Sequence, residues 1–148
     1  MLPQDLGVLT RKATADDLPF LLDLRRVTMR PHLVATGIDQ DDEAMRERVL
    51  AEFDCALVIE QGNARIGLLK LAKGRGIWTL HQIQLLPSWQ GQGIGTELIR
   101  DILSQAAQAG SQVELHVLKG NPARRLYERL GFAIVAESAH AFTMRADA

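Results

Sequence analysis

The sequence has too little of several features to belong to some broad classes of protein. It contains one cysteine in 148 residues, so no disulfide framework can form within the chain. The formal net charge is −1 and no block of like charges occurs, which argues against nucleic acid or an anionic membrane as the partner. No apolar run approaches the roughly 20 residues needed to cross a bilayer. We therefore expect a soluble, folded protein.

The length and the N-terminus narrow this expectation. A chain of 148 residues is a common size for one domain, so we expect a single domain over residues 1–148. The opening "MLPQDLGVLTRK" lacks the basic and apolar segments of a secretory signal, which predicts a cytoplasmic location. Cys55 lies in the apolar, strand-like "DCALVIE", where a lone thiol is predicted to serve packing.

The first half of the chain predicts a strand, two helices and a three-stranded meander. After the β-like "GVLTRKAT", Thr14 and Asp17 form a capping signal for a helix from about Asp16 to Met29, which Pro31 and Gly37 are expected to end. The segment "QDDEAMRERVLAEF" predicts a second helix. Three β-like runs between Cys55 and "HQIQLL" are separated by "QGNA" and "KGRG", which indicates antiparallel hairpins.

The second half predicts a parallel strand pair. Apolar residues at helical spacing predict a helix from Gly93 to about Ala109, ended by Gly110, and the alternating "QVELHVLK" predicts a strand after it. A strand, a helix and a strand in this order imply a right-handed crossover. "NPARRLYERLGF" predicts a short helix capped by Asn121, and one or two strands follow. The expected class is mixed α/β, with six to seven strands and about four helices.

The glycines of "WQGQGIGTELIR" stand directly before a helix. Glycine lets a ligand approach the backbone closely, and the free N–H groups of a first helical turn attract an anion such as a phosphate. A tight turn that binds nothing is the alternative. A dinucleotide fingerprint would need a third glycine where Thr96 stands, and a Walker A loop would need a lysine after Gly95. Both nucleotide motifs therefore fit poorly.

Two motifs together carry a family resemblance. The pattern Q-x-x-G-x-G begins at Gln90, and N-x-x-x-x-x-Y-x-x-x-G-F begins at Asn121. Their pairing at this distance resembles the GNAT superfamily of acyl-CoA-dependent N-acyltransferases, and the element order agrees over nearly the whole chain. The resemblance implies a central mixed sheet with an antiparallel meander followed by a splayed parallel pair. It also implies acetyl-CoA as co-substrate and no metal.

The resemblance assigns roles to particular positions. Tyr127 matches the family's tyrosine that protonates the departing thiolate, although its spacing on the helix also fits a core residue. Asn121 matches a position that often touches the coenzyme. Main-chain groups of the preceding strand would bind the pantetheine arm, and one N–H near Leu85 would face the thioester oxygen; these residues are Ile83, Gln84 and Leu85. The pyrophosphate would be held by the backbone of Gln90, Gly91, Gln92, Gly93, Ile94 and Gly95.

The match is incomplete on the acceptor side. Some family members use a glutamate as base where this chain has Thr79, and threonine cannot serve as that base. The nearest titratable candidates are His81, Glu114 and His116. Acceptor choice is expected to lie in "MRPHLVATGIDQDD", which contains Arg30 and His32.

The resemblance predicts an enzyme that moves an acetyl group from acetyl-CoA to a primary amine by direct attack in a ternary complex. The acceptor would be a small molecule or a peptide, with no nucleic acid or membrane partner, and a homodimer is one expectation for the assembly. A catalytically weak or inactive acyl-CoA-binding regulatory module is the alternative, favoured by Thr79. A third interpretation is the same fold without any coenzyme.

Overall fold

Seven strands and four α-helices make up the part of the chain that the computed structural model describes, residues 7–36 and 42–146. The strands are β1 (Val8–Lys12), β2 (Ala56–Gln61), β3 (Ala64–Lys73), β4 (Ile77–Leu85), β5 (Gln112–Leu118), β6 (Ala133–Glu137) and β7 (Ala141–Ala146). The helices are α1 (Leu18–Thr36), α2 (Asp42–Leu50), α3 (Ile94–Gln108) and α4 (Ala123–Arg129). This order and the mixed α/β class confirm the predictions from the sequence.

The strands lie in one sheet in the order β1-β2-β3-β4-β5-β7-β6. The pairs β1/β2, β2/β3, β5/β7 and β6/β7 are antiparallel, whereas β4/β5 is parallel, as predicted. The parallel pairing runs from Ile77 opposite Gln112 to Leu80 opposite Leu115. It therefore covers only the first part of each strand, since β4 has 9 residues and β5 has 7.

The chain divides into two compact units. Among the described residues, the first is formed by 7–36, 42–70 and 82–95, and the second by 71–81 and 96–146. The predicted pyrophosphate loop belongs to the first unit, and Tyr127 belongs to the second. Within the described residues, no helix is both long and apolar enough to cross a lipid bilayer.

A buried lysine fastens the end of α2 in the first unit. The apolar core of this unit includes Ala13, Leu21, Leu24, Val49, Ala56, Val58 and Leu68. Lys70 on β3 is 2% exposed, and its Nζ donates to the carbonyls of Arg48 (3.2 Å), Val49 (3.0 Å) and Ala51 (2.5 Å). The last carbonyls of a helix have no partner inside the helix, so Lys70 supplies their donor. Burial lowers the pKa of Lys70.

A second buried charge fixes the start of α1. The Asp17 side chain is 1% exposed, and its carboxylate accepts hydrogen bonds from Arg11 Nη1 at 2.9 Å and Nη2 at 2.8 Å. Its Oδ2 also accepts the N–H of Thr14 at 2.8 Å. The predicted capping signal at Thr14 and Asp17 is thereby confirmed. The hydrogen bonds from Arg11 hold the pKa of Asp17 well below its usual range.

The second unit buries one face of α3 and one face of β5. The apolar residues that α3 buries include Leu98, Ile99, Ile102 and Ala106. Along β5, Val113, Leu115 and Val117 are buried, while the alternate residues are more exposed, which confirms the predicted alternation. The helix ends before Gly110, whose φ of +70° is the left-handed conformation expected of a glycine cap.

Two local predictions need correction. The first helix was predicted to end near Met29, but α1 continues through Pro31 to Thr36. Proline removes one backbone hydrogen bond, and the remaining bonds of a long helix carry it past that position. Cys55 does not lie in a strand; it ends a 3₁₀ turn, Phe53–Cys55, directly before β2. Its Sγ lies 3.2 Å from the Glu52 carbonyl, and burial raises the thiol pKa, so a thiolate is disfavoured.

Candidate active site

The loop between β4 and α3 has the backbone geometry of an anion cradle. Gly91 and Gly93 have φ of +76° and +82°, a region that L side chains rarely adopt. A Cβ built on Gly91, Gly93 or Gly95 would meet no protein atom within 4 Å, so the space beside each is open. Among the described residues, the N–H groups of Gly91, Gln92 and Gly93 donate to no backbone carbonyl. The helix that begins at Ile94 adds its dipole to these donors.

Two glutamines hold the loop in place. Gln90 Nε2 donates to the carbonyl of Leu85 at 2.9 Å, and Gln92 Nε2 donates to the carbonyl of Ser88 at 3.0 Å. The first bond joins the loop to the end of β4, and the second closes the 3₁₀ turn Pro87–Trp89 against the loop. The side chains of both glutamines are thus occupied by structure, which leaves the backbone of the loop to face a ligand.

Gly67 of β3, which was not among the residues predicted for the site, lets β3 pack closely against the end of β4. A Cβ on Gly67 of β3 would lie 2.3 Å from the carbonyl oxygen of Gln84 and 2.8 Å from the side chain of Leu85. The two strands can approach this closely only because residue 67 has no side chain. The signal was present, since an isolated glycine inside a strand pattern indicates a bulge or a close backbone approach.

Tyr127 is the only tyrosine in the chain and lies half-buried on α4. Its ring meets the ring of Phe132 edge-on, with the centroids 5.9 Å apart. Burial raises the pKa of its phenol, which keeps the hydroxyl protonated at neutral pH. Within the described residues the hydroxyl makes no hydrogen bond to the protein, so it is available to a ligand.

Asn121 precedes α4 and lines a pocket. Its Oδ1 accepts the N–H of Ala123 at 2.9 Å, but the N-cap of α4 is Pro122, so the predicted N-cap at Asn121 is wrong by one residue. A pocket of about 390 Å³ lies at this corner and is lined by Gly120, Asn121, Pro122, Arg124 and Arg125. Two arginines and an amide in one pocket wall suit an anionic group.

A row of polar side chains crosses three strands of the second unit. Thr79 on β4 is in register with Glu114 on β5, and Glu114 is in register with Arg145 on β7. Arg145 Nε donates to Glu114 Oε2 at 2.8 Å. In the next row His116 Nδ1 lies 3.1 Å from Thr143 Oγ1, and His116 Nε2 lies 3.7 Å from Glu114 Oε1. These residues form a connected polar face, which we call the β5 polar cluster.

The remaining sequence candidates have simpler positions. His81 on β4 is exposed, and Trp89 is half-buried beside the loop. The side chains of Arg30 and His32 lie outside the described part of the structure, as do residues 37–41 of the segment predicted to choose the acceptor. No group of three His, Cys, Asp or Glu side chains in the described part of the chain could hold a metal ion.

Comparison with known proteins places this arrangement in a family. A sequence model of the acetyltransferase (GNAT) family matches residues 21–132. The thialysine N-epsilon-acetyltransferase of Sus scrofa is 30% identical over 96% of this chain and 95% of its own length. The ribosomal protein bS18-alanine N-acetyltransferase of Haemophilus influenzae is 42% identical over 55 residues, which are 36% of this chain and 38% of that protein.

A solved structure agrees with the sequence comparisons at the level of the fold. The PaiA N-acetyltransferase from Thermoplasma acidophilum in complex with coenzyme A superposes with a TM-score of 0.75 at 18% identity, over 95% of this chain and 99% of that one. The fold is therefore that of this solved N-acetyltransferase. This chain belongs to the GNAT family of acetyltransferases. The family relationship supports acetyl-CoA-dependent N-acyltransferase activity, in which an amine is acetylated.

Proposed function

We propose that this protein transfers the acetyl group of acetyl-CoA to a primary amine by direct attack in a ternary complex. The observation that carries the proposal is the loop at Gly91 and Gly93. Its positive φ angles, open space and unpaired N–H groups suit a pyrophosphate, which the dipole of α3 would also attract. The pyrophosphate of coenzyme A would be held by the backbone of residues 90–95.

The remaining roles follow the family pattern. Main-chain groups of Ile83, Gln84 and Leu85 would bind the pantetheine arm, and an N–H near Leu85 would stabilise the negative charge that develops on the thioester oxygen. Asn121 would contact the coenzyme. As the amine nitrogen forms a bond to the acetyl carbon, the carbon–sulfur bond breaks and Tyr127 protonates the departing thiolate. The hydroxyl of Tyr127 stays protonated and has no hydrogen-bond partner among the described residues, which supports that role.

The acceptor is proposed as a class only. The names of two relatives give thialysine and a protein alanine as the groups they acetylate, so both a small molecule and a peptide are candidate acceptors here. We expect the enzyme to act in the cytoplasm as a single domain, without nucleic acid or membrane, and a homodimer is the assembly to test first.

Calorimetry and a thiol-release assay test this function. Coenzyme A and acetyl-CoA should each bind below the millimolar range at moderate salt. Acetyl-CoA should then release thiol when polyamines, thialysine, amino acids, aminoglycosides or peptides with free N-termini are added. If neither coenzyme binds in that range, the proposal is wrong.

A second function is favoured by one observation. Thr79 stands where some relatives have a glutamate base, so the chain could retain coenzyme binding as a regulatory module without turnover. Tight coenzyme binding, combined with no thiol release across the whole amine panel, would support that alternative.

A further inference from the structure

We propose that the outer edge of β6 is a dimerisation surface, at which two copies of this chain pair their β6 strands antiparallel across a twofold axis. Strand β6 stands at one end of the strand order, so it is paired on its inner side only, with β7. No other strand of the described residues covers its outer side. The inference goes beyond the proposed function, because it depends on the strands at this edge and not on acetyl transfer.

The composition of β6 leaves this edge open to pairing. The strand reads "AIVAE", and all five of its residues are exposed. Natural sheets commonly protect an edge with lysine, other charged residues or proline, because the unpaired N–H and C=O groups otherwise bind another strand. The one such residue in β6 is Glu137, and its carboxylate forms an ion pair with Lys119 Nζ at 2.7 Å.

The strand at the other end of the strand order, β1, has a different composition. It carries Arg11 and Lys12, and Arg11 pairs with both Asp17 and Glu60. Its exposed apolar residue is Leu9, at 61%. Pairing β6 with β1 of another copy would join unlike surfaces, which gives rings or open-ended filaments. Pairing β6 with itself closes after two copies and keeps the charges of β1 out of the interface.

A row of apolar side chains leads across the sheet to the outer edge of β6. Leu115 on β5 is in register with Met144 on β7, and Met144 is in register with Ile134 on β6. Residues directly opposite each other share a face of the sheet. The exposed fractions along this row are 2%, 0% and 44%, so the apolar face loses its cover at Ile134. Ile134 of a second copy would continue the row and supply that cover.

This row assigns the position of the twofold axis. An axis perpendicular to the sheet at Ile134 places this residue opposite Ile134 of the second copy, and the apolar faces of both copies then lie on the same side. The flanking Ala133 and Ala136 are small and do not obstruct the approach. With a rise of about 3.3 Å per residue, the two Glu137 side chains are roughly 15–20 Å apart along the strands, beyond the Debye length at physiological salt, so they repel little.

A β-bulge limits the length of the new ladder. The register of β6 with β7 shifts between Ile134 and Ala136, which leaves Val135 as the extra residue. A bulge bends its strand, so the straight part that a second copy can pair with is short. Small interfaces belong to weak or transient complexes. We therefore expect a dissociation constant in the micromolar range and not a permanent dimer.

Sedimentation velocity of the full chain tests the proposal. Ile134→Lys is compared with a matched control, Leu9→Lys, which puts the same charge on an exposed apolar residue of β1. Between about 1 μM and about 1 mM, the wild type should pass from monomer to dimer. Ile134→Lys places two like charges opposite each other at the axis, so we expect it to weaken the dimer by about tenfold or more. Leu9→Lys should dimerise as the wild type does.

Disulfide trapping tests the same axis without an added charge. In a Cys55→Ser background, Ile134→Cys places one thiol of each copy at the axis, close to the Cβ separation that a disulfide needs. Mild oxidation should convert this variant to a covalent dimer, whereas Leu9→Cys in the same background should stay monomeric. Thermal unfolding of every variant shows whether it is folded under the conditions used.

Three results would overturn the inference. The first is a wild-type protein that stays monomeric over the whole concentration range. The second is a dimer that Ile134→Lys weakens no more than Leu9→Lys does, or that leaves Ile134→Cys without a disulfide. The third is an assembly of more than two copies that Leu9→Lys abolishes, since β6 would then pair with β1 and not with itself.

Discussion

Replacing Gly93 should weaken coenzyme binding, whereas the same replacement at a matched glycine outside the loop should not. Gly93 has φ of +82°, and a Cβ there meets no protein atom within 4 Å. The Cβ of a side chain at this position therefore does not clash with the protein itself. It would project into the space that we assign to the pyrophosphate, so its effect on binding depends on whether a ligand occupies that space.

Replacing Gly93 should also lower the stability of the fold, and a replacement of Gly110 should lower it by the same amount. Holding an L residue in the left-handed conformation costs about 1–2 kcal/mol. For a chain of this size, 1 kcal/mol corresponds to a shift of roughly 2–4 °C in Tm. Gly110 has φ of +70° and equally open space at the end of α3, so Gly110→Ala should show the same destabilisation as Gly93→Ala. Gly110 therefore serves as a control for the conformational cost at a position outside the loop.

The assay is thermal unfolding together with calorimetric titration of coenzyme A. We expect Gly93→Val to lose at least tenfold in affinity, about 1.4 kcal/mol, and Gly93→Ala to lose less because its side chain is smaller. Gly110→Val should keep the wild-type affinity. If Gly93→Val binds coenzyme A as tightly as Gly110→Val does, the loop does not hold the pyrophosphate.

Three further predictions concern the acid, the start of α1 and the end of α2. Tyr127→Phe should lower kcat by about 10²-fold with little change in acetyl-CoA affinity, and unchanged turnover would return Tyr127 to a packing role. Asp17→Asn should cost roughly 1.5–3 kcal/mol in urea unfolding at pH 7. Because Arg11 lowers the pKa of Asp17, its contribution is present above about pH 4 and lost as the pH falls, so the variant should be less acid-sensitive than wild type; equal acid sensitivity would contradict this. Lys70→Met leaves buried carbonyls without a donor, so we expect a loss of about 1–3 kcal/mol, whereas an unchanged urea midpoint would refute that role.

Local signals predicted most of the fold. The helix α3 and its glycine cap, the alternation along β5 and the capping of α1 at Thr14 all follow from residues within a few positions of one another. The predicted end of α1 was wrong because it also rested on a local signal. The rule that proline ends a helix does not take into account the hydrogen bonds of the rest of a long helix. The buried Lys70 could not be predicted, because its partners lie about 20 residues away in sequence.

The candidate site also combines features that local sequence predicted with features that only the folded chain shows. The loop from Gln90 to Gly95 is one contiguous segment, so its glycine spacing predicted both the positive φ angles and the helix start. The support from Gly67 depends on how β3 approaches β4, and only the folded chain shows the 2.3 Å approach that a Cβ would make to Gln84. The sequence shows that residue 67 is a glycine, but it does not show that Gln84 lies against it.

The β5 polar cluster follows from strand register, which hydrophobic alternation alone does not set across a crossover. Alternation placed Glu114 and His116 on one face of β5, but a shift of one residue against β4 would have put Thr79 beside Val113 or Leu115 instead. The observed register pairs Thr79 with Glu114, and the register with β7 brings Arg145 and Thr143 to the same face. The polar face of β5 is therefore a product of the folded register, and the alternation within one strand predicts only which residues share that face.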